Sequence, residues 1–73
     1  IGASIAEHLA EEGASVVVNY STSKEGAERV VQSIERKGGK AIAIQANMAN
    51  QHDINRLFAE AKKNFGKLDI LIN

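Results

Sequence analysis

The side chains best placed to meet a ligand lie directly after short apolar runs. They are polar or flexible and include no carboxylate: Asn19, Tyr20, Ser21, Asn47, Met48 and Asn73. Amide and hydroxyl groups of this kind bind by donating and accepting hydrogen bonds. The only imidazoles, His8 and His52, lie beside charged neighbours on predicted helices, where we expect solvated surface. With no cysteine in the chain, a fold held together by zinc or disulfides is not expected.

Length and charge exclude several classes of protein. The chain has 73 residues, which is enough for one small domain with a marginal core. Nine basic and nine acidic residues cancel, so nothing indicates binding to nucleic acid or to an acidic membrane surface. No apolar run approaches the ~18 residues of a membrane span, and no signal-peptide pattern is present. We expect a cytoplasmic protein.

The spacing of the apolar residues switches repeatedly between helical and extended periods. Three helical stripes alternate with three short apolar runs, SVVVNY, AIAIQ and LDILIN. Glycines at the ends of the stripes are placed to stop the helices. Thr22 precedes Glu25 by three residues, which is the spacing of a capping box, and Asn50 is placed to cap the third helix. The predicted buried face of that helix consists of Ile54, Leu57, Phe58, Ala61 and Phe65.

This alternation predicts a doubly wound α/β fold with a parallel sheet. The strands are apolar throughout rather than alternating, which indicates that both faces of the sheet are covered. Ligands of such folds bind at the carboxyl ends of the strands. Oxidoreductases, methyltransferases, receiver domains and flavodoxin-like proteins all share this arrangement. A methyltransferase would need an acid after SVVVNY, and a receiver domain would need acids after its strands, but Tyr20 and asparagines occupy those positions.

Three segments resemble the short-chain dehydrogenase/reductase family, and together they run the whole length of the chain. Ile1-Gly2 and the following AEHLAEEGA resemble the end of T-G-x-x-x-G-I-G and the helix after it. GGKAIAIQANMAN resembles the segment that ends in D-V-S, and FGKLDILIN resembles the run into N-N-A-G. The three segments occur in order and at the family's spacing. The resemblance implies that residues 1–73 are a fragment of one Rossmann dinucleotide-binding domain whose first strand is missing, similar to 3-oxoacyl-carrier-protein reductases.

The resemblance implies phosphate and ribose contacts at the two ends of the chain. Gly2 matches the last glycine of the pyrophosphate turn, where the absence of a side chain allows close approach of a phosphate. The backbone N–H groups of Ile1 and Gly2 would point at the anion, assisted by the helix dipole. Asn73 matches the first Asn of N-N-A-G, which in the family lies beside the ribose.

The choice of cofactor is implied by the residues after SVVVNY. In the family an acid here binds the ribose 2′-hydroxyl and repels a 2′-phosphate. No acid occurs from Val16 to Ser23, while the hydroxyl of Ser21 and the ammonium of Lys24 could meet a phosphate. Together with Tyr20, these residues favour NADP, with NAD as the alternative.

Asn47 and Met48 occupy the family's Asp-Val position. There the Asp side chain accepts a hydrogen bond from the adenine amino group, and the next backbone N–H reaches a ring nitrogen. Asn47 departs from the pattern but can still offer its amide oxygen. The resemblance therefore implies a weakened adenine contact at Asn47 and Met48.

The family's catalytic residues have no match in this chain. The family transfers hydride between the nicotinamide and a carbonyl or alcohol carbon, using a Tyr and a Lys four residues later. Tyr20 and Lys24 have that spacing, but the family's pair lies on a long helix after the fifth strand, far beyond Asn73. We expect the parent enzyme to be a homo-oligomer acting on a small carbonyl substrate. The alternative is a non-catalytic truncated or interaction fragment of the same fold.

The strand order of the fold has a consequence for stability. In the order 3-2-1-4, the missing first strand would lie between SVVVNY and LDILIN. We expect those two strands to face an empty slot with unpaired backbone groups, each costing ~1–3 kcal/mol if buried. The 73-residue chain alone is therefore expected not to form a stable monomeric fold.

Overall fold

The computed structural model describes residues 8–66 and 69–72. In chain order the elements are α1 (residues 8–11), β1 (Ser15–Tyr20), α2 (Lys24–Arg36), β2 (Lys40–Gln45), α3 (Gln51–Phe65) and β3 (Ile70–Ile72). The predicted alternation of helices and strands is confirmed, and both strand pairs are parallel. Ile1, Gly2 and Asn73, to which we assigned cofactor contacts, lie outside the described residues.

Strand β1 lies at the centre of the described sheet. This position explains why its sequence is apolar without alternation. Its side chains alternate between two cores. Val16 and Val18 pack with Ala10 of α1 and Ile34 of α2 on one face. On the other face, Val17 packs with the buried side of α3. Both faces of β1 are thus covered, as the run of β-branched residues predicts.

The turn between α2 and β2 brings helix and sheet very close together. Gly38 has a φ of 84°, a conformation that side chains other than glycine rarely adopt. Gly39 is required for a different reason. A Cβ built on it would lie 2.6 Å from the Ala10 Cβ and 2.8 Å from the Ile34 Cγ2. The pair GG therefore both ends α2 and lets β2 start against the core.

Two predictions made from the helix patterns are corrected by the structure. The N-cap of α2 is Ser23 rather than Thr22, and no side-chain capping bond is made there, so the predicted capping box is absent. Phe58 is 47% exposed instead of buried. Helix α3 contacts the sheet along the line of Leu57 and Ala61, and Phe58 points about 100° further round the helix. The cap at Asn50 is confirmed, since its side chain accepts from the Asp53 N–H.

The predicted empty slot is also wrong for this structure, because β1 pairs directly with β3. The order of the described strands is β2-β1-β3, and Val17 lies opposite Leu71. Unpaired strand backbone is costly, and direct pairing satisfies it. At the start of the pair the Ser15 N–H donates to the Asp69 carboxylate at 3.0 Å, so Asp69 helps to join the two strands. Among the described helices, none has the length and apolar character to cross a membrane.

Candidate functional site

The carboxyl ends of β1 and β2 meet at one edge of the sheet. Tyr20 and Gln45 are opposite each other in the parallel register. The Ala46 N–H donates to the Tyr20 carbonyl oxygen at 3.0 Å, and the Gln45 Nε2 donates to the Ser21 carbonyl oxygen at 3.4 Å. The structure thus brings the segment after β1 beside the segment after β2, two segments that the sequence assigned to a single ligand.

The segment after β1 is open and rich in hydroxyls. Tyr20 is half-buried against the core shared by α1 and α2, whereas Ser21 is exposed. Helix α2 starts at Lys24 without a side-chain capping bond, and the acidic Glu25 lies in its first turn, near the positive end of the helix dipole. The Lys24 ammonium is 69% exposed and lies 3.9 Å from the Glu28 carboxylate. A surface pair of this type is worth only ~0–1 kcal/mol, so it holds Lys24 weakly.

The segment after β2 is a tightly bonded turn built around Asn47. Its N–H donates to the Asp53 carboxylate at 2.8 Å, and its carbonyl oxygen accepts from the Asn50 N–H at 2.9 Å. Its side-chain oxygen accepts from the Ala49 N–H at 3.0 Å. Within the described residues, Met48 alone of residues 46–50 has a backbone N–H with no hydrogen-bond partner. One donor of the turn is therefore left for a ligand.

Asn19 links the two strand ends at this edge through its side chain. It is the one buried polar residue among those described, at 8% exposure. Its Nδ2 donates to the carbonyl oxygens of Ile44 and Ala46, each at 3.2 Å. These bonds join the end of β1 to the end of β2 and to the first residue of the turn.

A second set of polar contacts fixes the edge from α3. The Arg56 Nη2 donates to the Gln45 carbonyl oxygen at 2.5 Å, and its Nη1 donates to the Glu60 carboxylate at 2.8 Å. The same guanidinium lies 3.9 Å from the Asp53 carboxylate. The sequence analysis assigned no role in the site to Asp53, Gln45 or Arg56. The spacing of Asp53 and Arg56, three residues apart on a helix, was the available signal.

The edge is suited to binding through hydrogen bonds rather than to metal chemistry. Among the residues the structure describes, no three His, Asp or Glu side chains are grouped so that they could hold a metal ion. His8 and His52 are both exposed on helices. The groups that converge here are backbone N–H and C=O groups, amides, hydroxyls and the Lys24 ammonium, together with the Asp53 carboxylate and the Arg56 guanidinium, which bond to the edge from α3. Such a set can bind a polar ligand through hydrogen bonds.

Comparison with known proteins identifies relatives along the whole chain. A family model described as short chain dehydrogenase matches residues 1–73. The 3-oxoacyl-[acyl-carrier-protein] reductase FabG of Staphylococcus aureus is 51% identical over the entire chain, which covers 30% of that relative.

Solved structures of dehydrogenases also resemble this chain in fold. A short-chain dehydrogenase/reductase from Serratia marcescens superposes with a TM-score of 0.85 at 40% identity, over 96% of this chain and 29% of its own. A dehydrogenase from Burkholderia cenocepacia with bound NADP gives a TM-score of 0.81 at 35% identity, over 99% of this chain and 28% of its own. The chain therefore spans a little under a third of the proteins it matches.

Proposed function

Because this chain belongs to the short-chain dehydrogenase/reductase family, we propose that it is the adenosine- and pyrophosphate-binding part of an NAD(P)-dependent oxidoreductase. The parent enzyme transfers hydride between the nicotinamide and the carbon of a small carbonyl or alcohol substrate. Residues 1–73 form part of one dinucleotide-binding domain, and the catalytic Tyr and Lys belong to later segments of the enzyme. The single observation that carries the proposal is the edge where the segments after β1 and β2 meet, with the Gln45 side chain at the end of β2 bonded to the Ser21 carbonyl oxygen.

The turn after β2 binds the adenine. The Met48 N–H is the donor for a ring nitrogen, and it is the one backbone donor of residues 46–50 without a partner in the part of the chain that the structure describes. The side-chain oxygen of Asn47 already accepts from Ala49, but a carbonyl oxygen has a second lone pair for the adenine amino group. Asn47 thus serves both the turn and the ligand. At the ends of the chain, Ile1 and Gly2 contact the pyrophosphate and Asn73 contacts a ribose.

The segment after β1 selects NADP over NAD. The described residues from Val16 to Ser23 include no carboxylate to repel a 2′-phosphate. The exposed Ser21 hydroxyl and the Lys24 ammonium favour an anion, and the acidic Glu25 in the first turn of α2 opposes them in part. The Tyr20 side chain packs against the core shared by α1 and α2, next to the segment that follows β1. The NADP bound to the Burkholderia cenocepacia dehydrogenase supports this choice.

The test is the affinity of the full-length protein for NADPH and for NADH. We expect NADPH to bind more tightly. Ser21→Asp places a carboxylate where the 2′-phosphate would lie, and like charges at such a distance weaken NADPH binding at least about tenfold. NADH, which has no 2′-phosphate, should bind the variant no more weakly than the wild type. Lys63→Ala, which removes a cation near the end of α3, is the control for a general change of charge.

Two results would contradict the proposal at different levels. Tighter binding of NADH than of NADPH by the wild type would overturn the choice of cofactor. Failure of the wild type to bind either dinucleotide would overturn the proposed function itself.

A further inference from the structure

We propose that Asp53 and Arg56, on the first turns of α3, are positioning residues that hold the adenine-binding turn ready for its ligand. Neither residue is required to touch the cofactor. The inference rests on the proposed function and adds to it the side chains that set the geometry of the site.

Asp53 holds the turn at two points. Its carboxylate Oδ2 accepts from the Asn47 N–H at 2.8 Å, and its own N–H donates to the Asn50 side-chain oxygen at 3.2 Å. The Asp53 side chain is 29% exposed, so these bonds are partly shielded from water. Asn47 and Asn50 are themselves joined by a backbone bond of 2.9 Å. The carboxylate therefore closes a ring of hydrogen bonds around Met48.

Arg56 connects this ring to the sheet. Its Nη2 donates to the Gln45 carbonyl oxygen, the last of β2, and lies 3.9 Å from the Asp53 carboxylate. The Gln45 side chain in turn donates to the Ser21 carbonyl oxygen at 3.4 Å. One continuous set of contacts thus runs from the first turns of α3, through the end of β2, to the segment proposed to choose the phosphate.

The consequence is preorganisation. Pairing of the Asn47 N–H with Asp53 leaves the Met48 N–H as the donor that faces a ligand, and it fixes the direction of that donor before binding. A turn ordered in advance loses less conformational freedom when it binds, which increases affinity. Without the carboxylate, the turn would have to be ordered by the cofactor itself.

The experiment uses the full-length protein with Asp53→Ala and three probes. NADPH and adenosine 2′,5′-bisphosphate contain the adenosine half, whereas reduced nicotinamide mononucleotide lacks it. We expect Asp53→Ala to weaken binding of the first two about tenfold, which is the loss expected for one charge-assisted hydrogen bond. Binding of the mononucleotide should change by less than about twofold, because it has no adenosine half to contact the turn. A twofold loss corresponds to under half of one such bond. Asp53→Asn should restore most of the lost affinity, because its amide oxygen can still accept from Asn47.

A matched control and a second variant keep the test decisive. Glu35→Ala removes an exposed carboxylate near the end of α2, at the opposite edge of the sheet, and should leave all three affinities unchanged. Arg56→Gln, which removes the guanidinium from Gln45, should reproduce the selective loss at a smaller size. It provides the answer if Asp53→Ala does not fold.

The outcomes separate this inference from the proposed function. Equal losses for all three probes, or no loss for the adenosine-containing ones in either variant, would overturn the positioning role while leaving the cofactor site in place. If the wild type binds neither NADPH nor the bisphosphate, the proposed function fails, and the positioning role fails with it.

Discussion

At the scale of single residues, the least expected feature is a buried amide in an apolar strand. Asn19 directly follows the run of valines in β1, and its Nδ2 donates to two carbonyl oxygens at the end of β2 and just after it. Buried carbonyl groups without a donor are costly, so one side chain satisfies two acceptors where the ladder of β2 ends. The sequence located Asn19 at the end of a strand but could not show what it bonds, because its partners are 25 and 27 residues away.

Asn19→Asp tests this role with almost no change of shape. The carboxylate would replace a donor by an acceptor and face two carbonyl oxygens, so we expect the free energy of unfolding of the full-length protein to fall by roughly 3 kcal/mol. The measurement is denaturant unfolding near neutral pH. Asn55→Asp, the same change at an exposed position of α3, should stay within about 0.5 kcal/mol of the wild type. Equal effects of the two substitutions would contradict the structural role of Asn19.

At the scale of elements, much of the fold could be predicted from the sequence because the governing forces are local. Asn50 caps α3 as its position predicts, and the valine run of β1 is buried on both faces. The errors arose where tertiary packing decides. Phe58 has a suitable helical position for burial, but α3 meets the sheet along the neighbouring line through Leu57. For the candidate site, the sequence places Ser21 and Asn47 just after β1 and β2, whereas the contacts that join their two segments are set by packing.

Two glycines yield predictions of opposite sign: Gly39, in the turn from α2 to β2, and Gly26, inside α2. Gly39→Ala forces a methyl group into contact with Ala10 and Ile34, an overpacking that should lower the free energy of unfolding by about 1–3 kcal/mol. Gly26 lies inside α2, and a Cβ there would meet only the Ser23 Oγ at 3.1 Å, the end of a side chain free to rotate. Gly26→Ala should therefore stabilise by up to about 1 kcal/mol through helix propensity. Denaturant unfolding of both variants checks the signs, and a stabilising Gly39→Ala would refute the close contact.

At the scale of the whole molecule, the direct pairing of β1 with β3 changes the argument about the stability of the chain on its own. The unpaired backbone of an empty slot is no longer a cost. What remains is the small size of each core. Helix α3 buries mainly Leu57 and Ala61, and β3 contributes only three paired residues. Both β2 and β3 are edges of the described sheet, and a chain of this length buries only ~60% of its unfolded surface.

We therefore still expect the isolated 73-residue chain not to form a stable monomer, with a free energy of unfolding close to zero against the ~5–15 kcal/mol of ordinary domains. Circular dichroism should show helix content that declines gradually on heating, since a marginal core gives no cooperative transition. Sedimentation at several concentrations establishes that the species observed is monomeric. In the full-length protein the same segment should melt cooperatively, because further elements can cover the sheet edges and the exposed Phe58. A sharp, concentration-independent melting transition of the isolated chain would show instead that the two small cores, joined through β1, are enough to hold the fold.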